Sequence, residues 1–277
     1  MSLIAACSTP PENPGDVFDI RRQAETHLAL GSKDADQGSF ETALLMLDEA
    51  LRLAVAADDP GLRIRVGLSR GNVLFSLGHR EEAETAWNDA LGEAERAGSS
   101  ELAAVSRVYI ARGKLLSPAS VDGASSAQTI RDEVTRNLPS IKDRYYTAFA
   151  WTIIGLAESK LERYAQAEAA ARRALEIHEK DRYFELAAYD WFMIASFRSL
   201  AGNYRGAIQA LESAIAFDRR VENSWGLASD WRALGDVNRK AGDRDAAHTA
   251  YLRAAQIFRA MGNDEAAEET LSRSENR

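Results

Sequence analysis

The chain has 277 residues, 45% hydrophobic and 27% charged, with six prolines. Ala, Leu, Glu and Arg dominate and strand-favouring runs are missing, which is the composition of an ordinary all-α protein. A net charge of −8 with no block of like charges excludes a general nucleic-acid binder, and no stretch of about 18 apolar residues is present to cross a bilayer as a helix.

In chain order, residues 1–15 read as an unstructured tether rich in Pro, Ser and Asn. They hold the sole cysteine, Cys7, in the string Ile4-Ala5-Ala6-Cys7. An aliphatic residue, two small residues and a cysteine ahead of a polar segment resemble a bacterial lipobox. That resemblance implies acylation of Cys7 and a lipid anchor at the periplasmic or cell-surface side of a membrane. A signal peptide needs a basic start and an apolar stretch of about 7–15 residues, whereas six residues precede Cys7. An unmodified start carrying a stray thiol is therefore the alternative.

From residue 16 onward the pattern is periodic. Trp151, Trp191 and Trp231 recur every 40 residues, followed by Ile154-Gly155, Ile194-Ala195 and Leu234-Gly235. A ring, an aliphatic residue three positions on and a tiny residue four positions on share one helical face. The partner helices are marked by Ala43/Ala50, Ala83/Ala90, Ala167/Ala174, Ala207/Ala214 and Ala247/Ala254, each pair two turns apart on one face. Successive pairs start 40, 84, 40 and 40 residues apart, so the 84 hides one irregular unit. That third unit has two helical segments separated by the breaker stretch 117–126.

Gly38-Ser39, Gly202-Asn203 and Gly242-Asp243 provide a left-handed residue and then a cap. Gly78-His79 lacks a good cap, and Leu161-Glu162-Arg163 lacks both elements, which predicts a looser turn there. Six helical hairpins are expected over 17–57, 60–97, 100–138, 142–180, 182–221 and 222–260. A final amphipathic segment, Asp264 to Arg273, is expected to cap the stack.

These residues resemble the tetratricopeptide repeat: Trp, an aliphatic and a small residue at fixed offsets, then Gly, then two alanines seven apart. The resemblance covers about residues 20–260, strongest in units four to six and weakest in unit three. It implies an all-α fold, a right-handed α-solenoid of about six such hairpins plus a C-terminal capping helix, forming one domain over 16–277. The 40-residue period exceeds the usual value of about 34, so longer helices are expected. Glu158, Arg198 and Asn238 stand where the family places Tyr. HEAT-type repeats share the longer period but not the Trp pattern, and a non-repetitive helical bundle is a third alternative.

Signals for catalysis are weak. His27, His79, His178 and His248 share no helical face, and His178 reads as a cation at a helix end. One cysteine and scattered histidines make no tetrahedral metal set, and no phosphate loop or nucleophile elbow is present. No enzyme activity and no cofactor are expected.

In the resembled family, the first helices line a concave groove that holds a protein or peptide. Counting from the tryptophans, the groove positions are Phe149 in unit four, Tyr189 and Phe192 in unit five, and Arg232, Asp236 and Arg239 in unit six. Unit two contributes Asn72 and Phe75, and Tyr109 and Arg112 join from unit three. Aromatics and Arg are common interface anchors, although the same rings would also serve as packing under a neighbouring hairpin. The mixed aromatic and polar lining favours an extended peptide or a partner helix. The leading expectation is a lipid-anchored scaffold. A cytoplasmic sensor, resembling the effector-binding domains of some bacterial regulators, and self-assembly through units four and five are the rivals.

Overall fold

The computed structural model describes residues 15–117 and 123–275. Cys7, and most of the tether to which it belongs, lie outside the described residues, as do positions 118–122 of the 117–126 connection. Among the described residues there are thirteen α-helices and no strands. They are α1 (Gly15–Asp36), α2 (Phe40–Ala56), α3 (Pro60–Ser76), α4 (Arg80–Arg96), α5 (Ser100–Leu116) and α6 (Gly123–Asn137). A 3-10 turn (Leu138–Ser140) leads into α7 (Arg144–Lys160), α8 (Tyr164–Asp181), α9 (Phe184–Leu200), α10 (Tyr204–Arg220), α11 (Ser224–Ala241), α12 (Arg244–Ala260) and α13 (Asp264–Glu275). The fold is an all-α stack of helical hairpins. The pairs α1/α2, α3/α4, α7/α8, α9/α10 and α11/α12 pack face to face, and α13 packs on α12 as the expected final helix.

Where the repeat pattern predicts one domain over 16–277, contacts divide the chain into two compact units, Met1–Ile110 and Ala111–Arg277. The boundary falls within α5, just before the irregular connection. Unit 1 is centred on Leu47, Leu53, Leu62, Val66 and Val73. Unit 2 has a main core around Ile194, Phe197, Leu211 and Ile215, and a C-terminal core around Ala254, Phe258 and Ala267.

The turns repeat every 20 residues. A left-handed residue stands at 38, 58, 78 and 98, and again at 162, 182, 202, 222, 242 and 262. Glycine occupies most of these sites, but Asp58 (φ 48°), Glu162 (φ 57°), Arg182 (φ 64°) and Glu222 (φ 58°) take the same conformation. The turn at Glu162 is consequently not looser: the Arg163 amide closes onto the Glu158 carbonyl at 2.9 Å, as in its glycine-bearing counterparts. Asp59, Asn203, Asn223 and Asp243 accept the capping bond from the third residue on. Ser39, expected to cap, makes no such bond.

The small residues of the first helices admit a side chain from the second. A Cβ on Gly71 would lie 2.3 Å from Trp87 Nε1, and one on Gly235 would lie 2.6 Å from Tyr251 Cδ1. Trp87 and Tyr251 are 2% and 1% exposed. These second-helix rings, sixteen residues after each glycine, wedge against the first helices at the glycines. The three first-helix indoles are instead only partly buried. Arg173 lies 4.8 Å above Trp151 and Arg253 lies 4.6 Å above Trp231, covering their outer faces with cations.

Candidate functional site

The first helices of unit 2 bring two of the expected anchor residues together. On α9, three residues separate Tyr189 from Phe192, so both fall on one helical face. Their rings stack with centroids 6.4 Å apart and planes 17° apart. Tyr189 is 46% exposed, yet burial pushes its phenol above the ordinary tyrosine pKa, opposed by the positive charge of Arg112 and aided by Asp190. Part of the Tyr189 side chain is thus open to solvent while its hydroxyl is desolvated by surrounding protein. Phe192 is half-buried and rests on the core with Leu156 beside it. Phe149 is likewise half-buried on α7. Tyr189 and Phe192 make an apolar shelf on α9, with the cation of Arg112 in electrostatic reach of Tyr189.

The other expected residues are placed differently. Tyr109 is 4% exposed, with its ring 6.5 Å from Trp87. It belongs to the core of unit 1, and its assignment as a contact residue is corrected on that ground. Phe75 packs 5.7 Å from Trp87 beneath Arg80, while Asn72 remains partly exposed on the same helix. Arg232, Asp236 and Arg239 are engaged by α13. Arg273 reaches Asp236 at 3.1 Å, Arg232 reaches Glu269 at 3.7 Å, and Arg239 donates to the Arg273 carbonyl at 3.5 Å. Asp236 also accepts from the Tyr251 hydroxyl at 2.8 Å. That bond follows burial as the cause of a phenol pKa raised to about 12. The last helix thus occupies the ionic groups of the sixth hairpin.

A set of buried polar side chains escaped the sequence reading. His178 and Asp190 are 4% and 1% exposed, with Nδ1 2.6 Å from Oδ2. His178 is therefore not a solvated cation at a helix end. Burial raises the Asp190 pKa, and its hydrogen bond to His178 opposes that rise. Forty residues on, Asp218 and Asp230 stand at the same two repeat positions, 3% and 2% exposed. The available signal was the recurrence of Asp immediately before Trp, at 190–191 and 230–231, where unit four has Ala150. No cluster of three or more metal-ligating side chains occurs among the described residues.

A family model for the tetratricopeptide repeat matches residues 150–181, from within α7 to the end of α8. No curated protein matches the chain in sequence. Among solved structures, it is similar to a Rap protein complexed with competence and sporulation factor, with 15% identity, TM-score 0.63, and coverage of 92% of this chain and 74% of that one. It is also similar to BtubC from P. vanneervenii, with 18% identity, TM-score 0.60, and coverage of 86% and 92%. A third similar structure is PilW, a type IV pilus biogenesis factor, with 17% identity, TM-score 0.54, and coverage of 90% and 98%. At these identities the shared property is the fold.

Proposed function

We propose that this chain, a tetratricopeptide-repeat protein, is a non-enzymatic binding module that holds a peptide or protein segment on the α9 shelf of Tyr189 and Phe192. The observation that carries the reading is the stacked, half-open Tyr189. A monomer gains little by keeping a large ring both crowded and wet, whereas a partner covering it gains apolar area and a phenol hydrogen bond. The similar Rap protein was solved in complex with competence and sporulation factor, which supports a ligand-holding role for this fold.

The test is selection of a random peptide library against the wild-type chain, with affinities then measured against Tyr189→Ala and Phe192→Ala. Hot-spot truncation costs about 2 kcal/mol or more, roughly 30-fold in Kd. Selected peptides that bind both variants as tightly as wild type, with circular dichroism unchanged, would discard the shelf as the site.

For location, the reading is a membrane tether through acylated Cys7, supported by the Ile4-Ala5-Ala6-Cys7 string. Labelling of the full gene product with a palmitate analogue, lost in Cys7→Ser, is the expected result. A fully unlabelled product favours the cytoplasmic sensor, in which the same shelf would take a signal peptide.

A further inference from the structure

Five of the hairpin junctions place two buried side chains twelve residues apart, one late in a second helix and one in the helix that follows. Within unit 1 these positions hold Ala54 with Val66 and Ala94 with Ser106, all fully buried. In unit 2 they hold His178 with Asp190, Asp218 with Asp230, and Phe258 with Thr270. The packing at Ala54/Val66 is apolar, and at the others Ser106 and Thr270 return their hydroxyls to their own helices. His178 offers Asp190 a ring nitrogen. At the α10/α11 junction, by contrast, two carboxyls face each other.

Asp218 and Asp230 are both buried and stand within side-chain hydrogen-bond reach of one another. The Asp218 carboxyl fills the space beside Gly226, where an added Cβ would fall 2.1 Å from Oδ2. Asn223 donates to the other Asp218 oxygen at 3.0 Å and caps α11 with its own carbonyl. Asp230 Oδ2 is buried and takes no hydrogen bond from an N–H or hydroxyl group, and its polar neighbour is the Asp218 carboxyl. The charged groups nearby do not neutralise the pair. Glu185 on α9 adds negative charge, and Glu222 in the turn is exposed. Arg219 on α10 and Arg253 on α12 are directed over the Trp231 ring. Two ionised carboxylates without a cation do not stay together in a low-dielectric site.

We propose that the α10/α11 junction is a hinge held shut by a proton shared between Asp218 and Asp230, closed in acid and neutral medium and loosened as the medium becomes alkaline. Burial, together with the neighbouring Asp218 charge, pushes Asp230 up to about 9, and burial pushes Asp218 up to about 6. The pair thus holds one proton between these values, whereas in the opened state both acids titrate near the ordinary value of 3.8. Opening therefore releases one proton across that window, and closure weakens about tenfold for each pH unit gained. Because Tyr189 and Phe192 ride on α9 and Arg232 on α11, the hinge adjusts the spacing of the fifth and sixth first helices. It depends on the junction alone and is tested without any partner, so its failure leaves the shelf reading untouched.

The experiment is hydrogen exchange by mass spectrometry on the full chain from pH 6 to 9, with rates corrected for intrinsic exchange. In the wild type, protection across α11 and α12 falls about tenfold per pH unit, while α7 and α8 hold steady. In Asp230→Asn, whose amide supplies a permanent donor to Asp218, the slope vanishes. Flat wild-type protection, or an unchanged slope in a folded Asp230→Asn, overturns the hinge. Carboxyl carbon NMR titration of the wild type gives a second readout that needs no variant: two aspartates with midpoints well above 5 are expected, and their absence overturns it as well.

Discussion

One chemical change, Gly to Ala, should have opposite effects at two positions of the same helix. Both Gly67 and Gly71 lie inside α3. Alanine is favoured over glycine in a helix interior by about 0.5–1 kcal/mol. At Gly67 the new methyl would rest 3.6 Å from Ala90 Cβ, an ordinary contact, so Gly67→Ala should stabilise by about that amount. At Gly71 the same methyl would stand 2.3, 2.5 and 2.9 Å from three atoms of the Trp87 indole. That ring is fully enclosed and donates Nε1–H to the Leu68 carbonyl at 3.2 Å. Moving it costs about 1–3 kcal/mol in overpacking. It also strands a buried donor and acceptor at about 1–3 kcal/mol. After the propensity gain of about 0.5–1 kcal/mol, Gly71→Ala should destabilise by about 1–5 kcal/mol. Urea unfolding followed by circular dichroism and by tryptophan fluorescence would measure both variants. A Gly71→Ala midpoint equal to or above that of Gly67→Ala would refute the wedge.

Further variants probe features outside the shelf. Glu162→Gly and Glu222→Gly should each raise stability by about 0.5–1 kcal/mol, because a left-handed side-chain-bearing residue costs about 1–2 kcal/mol and glycine's added chain entropy recovers only part of it. Unchanged or lower melting temperatures in both would show that these turns carry no such strain. Asp190→Ala should cost about 1–3 kcal/mol by leaving the buried His178 ring without its hydrogen-bond partner. A double-mutant cycle with His178→Ala should return a coupling of at least about 1 kcal/mol, and strict additivity would mean that the 2.6 Å pair is energetically idle.

The repeat architecture is written locally. The 40-residue period, the glycine turns and the alanine pairs all depend on backbone dihedrals and on which positions share a helical face, and both are properties of neighbours in the chain. For that reason the six expected hairpins and the final helix agree closely with the observed helix ends. The second set of turns, at Asp58, Arg182 and Glu222, was less visible because residues that disfavour the left-handed region occupy it. The environment of each side chain was decided by residues far away in sequence. Tyr109 and Tyr189 look alike in a helical pattern. Yet Trp87 encloses the first, while the second is left at a crowded opening. Arg232, Asp236 and Arg239 have the composition of a binding patch, but α13, more than 25 residues further along, takes up their charges. The Asp218–Asp230 pair becomes legible only when adjacent hairpins close around it, since an acid's cost depends on the water excluded from it and not on its place in the chain.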